Sequence, residues 1–183
     1  MQLAALLHDI ADWKFHAGDE EAGPRAARAW LEQCGVEPAV ITRVGDIIRR
    51  VSFQGAGVPD QLDTLEGQLV QDADRLDALG AIGIARAFAY GGYRGRALYD
   101  PAAQPKPHTS FEEYRASQSS TLQHFYEKLL LLKDRLNTAA ARELAEPRHA
   151  FMLTFLDQFM AEWEGPAESP DNSGGKNNPP QWV

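Results

Sequence analysis

At 183 residues the chain is long enough for one sizeable core and short of the usual two-domain length. Hydrophobic residues make up 44% and charged residues 24%, an ordinary globular balance, and no apolar run approaches the roughly 18–20 residues that would span a bilayer. The formal net charge of −8 argues against a protein that grips long nucleic acid by neutralising its phosphates, while a single nucleotide held by a metal ion and a few local cations stays open.

The chain reads as all-α, a bundle of about six helices, because strand-like alternation is absent and Ala, Leu, Arg and Glu dominate the long segments. A first helix is predicted over 2–12. Its start could pass for a signal-peptide core, but it lacks a basic flank and runs straight into His8-Asp9, so it is read as a buried helix. Pro24 opens a second helix that closes near Gly35, and Pro38 opens a third through Ile41, Val44, Ile47 and Ile48. Cys34 is the single cysteine and has no partner for an internal disulfide, which fits a reducing cytoplasm.

The stretch 53–63 is a loop with Gly55, Gly57 and Pro59. One long helix is predicted over 64–90, ending at Gly91-Gly92. A proline-rich loop leads to Ser110-Phe111-Glu112-Glu113, a capping-box sequence that starts a helix running to about Leu136. Thr138 caps the last helix, which carries Phe151, Phe155, Leu156 and Phe159 to Trp163, with a kink or break expected at Pro147. From Gly165 on, Pro, Ser, Asn and Gly dominate, so one domain over 1–165 and a disordered tail over 166–183 are expected.

Wound at 100° per residue, the first helix places Leu3, Leu6, Leu7 and Ile10 on one face. His8, Asp9 and Asp12 fall on the opposite face with Ala5 between them. An imidazole beside carboxylates suits a divalent ion of Mn, Fe, Co, Ni or Zn, although the same three residues would also make a solvated face. In the long helix Asp74 lines up with Ala78, Ala81 and Ala85, a stripe suited to close packing with the carboxylate at the contact. Burial without a partner would cost that carboxylate several kcal/mol, so a cation or strong donors belong there. Asp72 shares the face of Leu65, Leu69 and Leu76, Asp77 lies to one side, and the wheel alone does not choose among the three.

The pair His8-Asp9 on an Ala-Leu-Leu helix, followed some 65 residues later by Ala73-Asp74-Arg75-Leu76, resembles the HD superfamily of metal-dependent phosphohydrolases. The segments Leu6-Leu7-His8-Asp9-Ile10-Ala11-Asp12-Trp13-Lys14, Asp72 through Ile84, and His124-Phe125-Tyr126-Glu127-Lys128-Leu129 are similar to a bacterial branch of small HD hydrolases. The resemblance implies a helical HD-domain bundle with His8, Asp9 and Asp74 as metal ligands. Asp74 is preferred to Asp72 because the family aspartate stands in an Ala-Asp-Arg-Leu type of context. The family pattern also has a histidine about 20–30 residues before the pair, and only seven residues precede His8, so the first ligand and its helix are expected to be missing.

Around that centre, Asp12 is expected to orient an attacking water, and Lys14 and Arg75 to meet a substrate phosphate. His16 is a loop histidine able to touch substrate or stand in for the missing ligand. Arg49, Arg50 and the turn Gly91-Gly92-Tyr93-Arg94-Gly95-Arg96 are weaker phosphate candidates. His124 reads as a hydrogen-bonded core histidine, and His108 and His149 receive no role. The expected activity is metal-assisted hydrolysis of a phosphate ester or anhydride in a small molecule, a nucleotide by resemblance, with Mn, Mg, Co, Fe, Ni or Zn as the ion and no membrane partner. Two other outcomes are a non-catalytic binding protein, or a fragment stabilised as a homodimer that covers Leu3, Leu6, Leu7 and Ile10.

Overall fold

The structure, a computed structural model, describes residues 1–59, 62–106 and 108–165, and the tail expected to be disordered at 166–183 lies outside them. In chain order the helices are α1 (Gln2–Leu7), α2 (Ala22–Gln33), α3 (Pro38–Val51), α4 (Leu65–Asp77), α5 (Gly80–Tyr93), α6 (Phe111–Ala116), α7 (Thr121–Glu127) and α8 (Ala139–Glu164). Short 3-10 segments at Trp13–Phe15 and Leu129–Arg135 complete the list, and no strand occurs among the described residues. The all-α expectation holds, with more helices than the periodicity gives because two predicted helices are split.

The split of the predicted helix over 64–90 has a local cause. Leu79 is extended and almost fully buried, and Gly80 follows at φ +73°, a conformation that favours glycine. Arg148 Nη1 donates to the Leu76 carbonyl at 2.6 Å and Arg86 Nη1 to that of Asp77 at 3.3 Å, taking up carbonyls left open at the end of α4. A Cβ on Gly83 would stand 2.2 Å from the Ala78 carbonyl oxygen, so the break packs against the next turn only because that residue is glycine. The stripe of Asp74, Ala78, Ala81 and Ala85 therefore does not exist as one helical face.

The predicted helix from Ser110 is three pieces. Ser110 Oγ accepts from Glu113 N at 3.2 Å as expected, but the Glu113 carboxylate turns to Thr109 instead of closing the box. A complete capping box, Ser120 with Gln123, then starts α7 afresh. The first helix likewise stops at Leu7, before His8, Asp9 and Asp12. Pro147, by contrast, breaks nothing: α8 runs through it, and both Pro147 and Glu143 are exposed, so water can serve the carbonyl that loses its amide partner.

Two apolar cores result. The α2–α3 hairpin, with Leu31, Ile41, Val44, Ile48 and Val51, receives Ala4 of α1 and Val70 of α4. The second gathers Leu79, Leu122, Phe125, Leu132, Met152 and Leu156 from the C-terminal half. Leu3 and Leu7 pack against the first core, whereas Leu6 is 80% and Ile10 42% exposed, so the four do not share one buried face.

Helix α4 lies between the cores and carries buried polar side chains toward both. Gln71 donates to the Arg50 and Val51 carbonyls and accepts from Asn137 Nδ2 at 3.0 Å. Asp72 accepts from Asn137 N at 2.7 Å, Asn137 Nδ2 at 2.9 Å, Thr138 N at 2.9 Å and Thr138 Oγ1 at 2.7 Å. These bonds fix the start of α8, where Thr138 in turn caps Ala141 N. Removing the carboxylate leaves several buried donors without a partner. Asp72→Ala is expected to lower stability by about 3 kcal/mol or more, read as a loss in urea midpoint, whereas Asp74→Ala should move it far less.

Candidate functional site

His8 sits at the C-cap of α1, still in right-handed helical geometry. Its Nδ1 lies 2.8 Å from the Ala5 carbonyl, which can only accept, so the neutral ring carries its proton there and turns a bare Nε2 outward. That Nε2 stands 3.3 Å from Asp9 Oδ2 and 3.8 Å from Asp74 Oδ1. An imidazole lone pair facing two carboxylates is repulsive unless a proton or cation lies between them. Burial pushes the Asp74 carboxyl above its ordinary range; Lys128, His8 and Lys14 draw it back and Asp9 pushes it further up.

The sequence-derived trio His8, Asp9 and Asp74 is thus brought together, although sixty-odd residues separate its parts in the chain. Asp72 is elsewhere, saturated by the start of α8, and Asp77 is exposed at the end of α4. In donor type the trio suits a hard or borderline divalent cation. The three meet only through His8: among the described residues no group of three or more His, Cys, Asp or Glu is gathered into a metal-holding cluster.

Two cavities adjoin the trio. A large one of about 880 Å³ runs between the loop after α1, α5 and α7, and a small one of about 110 Å³ reaches back to Asp74, Phe53 and Leu132. Asp9, Asp12, Lys14, Arg86, Tyr114 and Lys128 line both, so two acids and three cations stand at the neck between them. Asp12 caps the Trp13–Phe15 turn, its Oδ1 accepting from Lys14 N at 2.9 Å and its Oδ2 from Lys14 Nζ at 3.1 Å. Burial opposes charge on Lys14, yet Asp12, with Tyr114 and Tyr90, outweighs it and holds the ammonium above its ordinary pKa.

Other expected site residues are placed differently. Arg75 is 2% exposed and donates to the Arg135 carbonyl, so it braces α4 against the segment before α8 and touches only the small cavity. Arg49 clasps Glu21 at 2.7 and 2.9 Å and Asp46 at 3.0 Å, an ion pair between α3 and the start of α2. His16, Arg94 and Arg96 do line the large cavity. Arg94 and Arg96 both lie over the Tyr90 ring, at 5.9 and 6.0 Å, and Arg96 Nη2 donates to the Ser117 carbonyl. The glycines before them allow a close approach, since a Cβ on Gly91 would fall 2.1 Å from Thr121 Oγ1.

Lys128, Tyr114 and Arg86 carry no sequence assignment, and His124 is read as core. Thr121, His124 and Lys128, spaced three and four apart, form one face of α7 and its C-cap that looks into the large cavity. That polar spacing is the signal available in the sequence. Tyr114 stacks on His124 at 6.4 Å and meets Phe53 and His108 edge-on at 5.5 and 5.8 Å. Behind it, the buried Glu127 accepts from Ser119 Oγ at 2.6 Å and faces His108 Nε2 at 3.3 Å, tying the preceding loop to α7.

With this geometry in view, comparison with known proteins is decisive. The HD domain family pattern matches residues 1–79. YpgQ of Bacillus subtilis is 39% identical over 173 residues, covering 90% of this chain and 73% of that protein. The chain belongs to the HD superfamily. A Lactobacillus plantarum crystal structure is 43% identical with a TM-score of 0.79, covering 88% of this chain and 74% of that one. A Bacillus thuringiensis HD-superfamily hydrolase is 48% identical with a TM-score of 0.61, covering 90% and 73%. YpgQ has also been solved in complex with ADP, and that structure is 38% identical with a TM-score of 0.64 over 88% of this chain and 75% of its own.

Within this HD-superfamily site His124 is pushed down to about 3 by burial first, then by Lys128, Arg96, Lys14 and His108. The unfolded chain binds a proton at His124 below about pH 6.5 and the folded one does not, so stability present above that pH is lost as pH falls toward 3. At pH 5 the loss from this group is roughly 2 kcal/mol relative to pH 7. Urea midpoints at the two pH values should therefore differ less in His124→Asn than in the wild type.

Proposed function

We propose that this HD-superfamily hydrolase is a metal-dependent phosphohydrolase that cleaves a phosphate ester or anhydride of a nucleotide. The observation that carries the reading is the His8 Nε2 facing Asp9 and Asp74, of which Asp9 lines both cation-lined cavities and Asp74 the smaller. His8, Asp9 and Asp74 would hold the ion, with water completing the donor set. The ion, Mn, Mg, Co, Fe, Ni or Zn, would supply a polarised phosphoryl oxygen and a water of lowered pKa. Asp12, at the neck and already oriented by Lys14, accepts a hydrogen bond from the attacking water. Lys14 meets the phosphate charge as it builds, from a cavity wall that needs no rearrangement to present it.

Nucleotide recognition is supported by the setting. An overall acidic protein places Lys14, Arg86, Arg94, Arg96 and Lys128 around one cavity, with Trp13, Tyr90 and Tyr114 among them as flat surfaces for a base. The relative YpgQ, crystallised with ADP, points to the same class of ligand. No helix among the described residues is long and apolar enough to cross a membrane, and Cys34 is a free, exposed thiol, in keeping with a reducing cytoplasm.

One imidazole and two carboxylates make a weak set of ligands, so activity should need Mn2+ or Mg2+ in excess and be lost on mild chelation. Asp74→Ala should abolish hydrolysis across a nucleotide panel with added Mn2+ while the helical circular dichroism stays near wild type. Activity retained in Asp74→Ala would sink the proposed ligand set. A folded wild type that binds nucleotides but hydrolyses none with any of these ions would instead make the protein a binding module.

A further inference from the structure

We infer that Lys128 is a second phosphate-contacting cation of this site, beside Lys14. The assignment rests on the phosphohydrolase reading above and names a group that neither the HD-type motif residues nor the comparisons assign. Lys128 is the C-cap of α7, at φ −140° and ψ −61°, and this turn ends the helix. Its ammonium lies over two aromatic rings, 5.5 Å from the centroid of Phe53 and 5.7 Å from that of Tyr114. Both rings are held by other contacts, Phe53 in the core and Tyr114 between Phe53, His108 and His124, so the charge has a rigid seat.

The neighbouring cations differ. Lys14 is paired with Asp12 at 3.1 Å, and Arg86 and Arg96 donate to backbone carbonyls. Lys128 has no carboxylate within ion-pair distance among the described residues and makes no side-chain hydrogen bond there. It lines both cavities, and Asp74 lines the smaller one with it, so its charge faces the space beside the proposed ligand set. Burial first, and then the same charge with Arg96 and Lys14, keeps the His124 imidazole neutral. A half-buried ammonium at the neck that no carboxylate of the described residues quenches is matched by a phosphoryl oxygen there.

Calorimetric titration of the full chain with ADP and with inorganic tripolyphosphate, each with and without Mn2+, tests this. Lys128→Met, which keeps the length and ring contact but removes the charge, should weaken both ligands about tenfold, and Lys128→Arg should stay within about threefold of wild type. Affinity for Mn2+ alone should change by less than about twofold. Unchanged binding in Lys128→Met, or a wild type that binds neither ligand under either condition, overturns the assignment. A loss seen with ADP but not tripolyphosphate would place Lys128 at the nucleoside, and an equal shift in Mn2+ affinity would make it the counter-ion of Asp74; either also overturns it. If Lys128→Met loses its helical dichroism, Lys128→Gln takes its place under the same criteria. Lys128-dependent phosphate binding without hydrolysis by the wild type would remove the proposed function and keep this inference, and hydrolysis indifferent to Lys128→Met would do the reverse.

Discussion

The buried carboxylate of Asp72 sets the geometry on which the rest of the structure depends. A charge is tolerated inside the molecule because four donors from Asn137 and Thr138 converge on it, and in return the first turn of α8 is fixed against α4. Gln71 adds bonds to the last turn of α3, and Arg75 one to the segment before α8. Three side chains of one helix thereby tie together both apolar cores. With the 71, 72 and 75 positions committed inward, the intervening Asp74 is turned toward His8. The scaffold and the candidate ligand are interleaved on adjacent faces of the same two turns.

The electrostatics of the site follow from what each charge has nearby. Asp72 is surrounded by donors, whereas burial and the Asp9 carboxylate work against the charge on Asp74, and Lys128, His8 and Lys14 offset them only in part. At the neck, Lys128 carries the opposite charge with no carboxylate of the described residues in ion-pair distance. Placing acid and base on either side of a narrow passage lets a cation and an anion be recognised together, although the protein as a whole carries a formal charge of −8.

The sequence made the helical class, the His8-Asp9 pair and the aspartate in its Ala-Asp-Arg-Leu context legible, because composition, adjacency and motif need no tertiary information. Its helix boundaries were less readable. Nothing in the periodicity of 64–90 distinguishes one helix from two, since the break is made by the burial of Leu79 and by arginines arriving from α5 and α8. The bonds that commit Asp72 to the scaffold come from Asn137 and Thr138, which lie over sixty residues away. Arg75, expected to meet a substrate phosphate, is buried against the Arg135 carbonyl; the spacing of Lys128 with Thr121 and His124 gains its meaning only once α7 turns that face into the cavity. Pro147 misled in the other direction, because a proline on the wet side of a long helix costs it little.

The break at Leu79-Gly80 also separates two kinds of change that a lineage can make. The candidate ion-holding residues lie on the first turns of the chain and on α4, while α5, α6 and α7 supply much of the large cavity's wall. Because α4 ends before α5 begins, a substitution at Ala89, Tyr90 or Arg94 need not propagate along a shared helix to Asp74. The molecule is therefore partitioned: one half can be held constant for chemistry while the facing half drifts toward a different ligand.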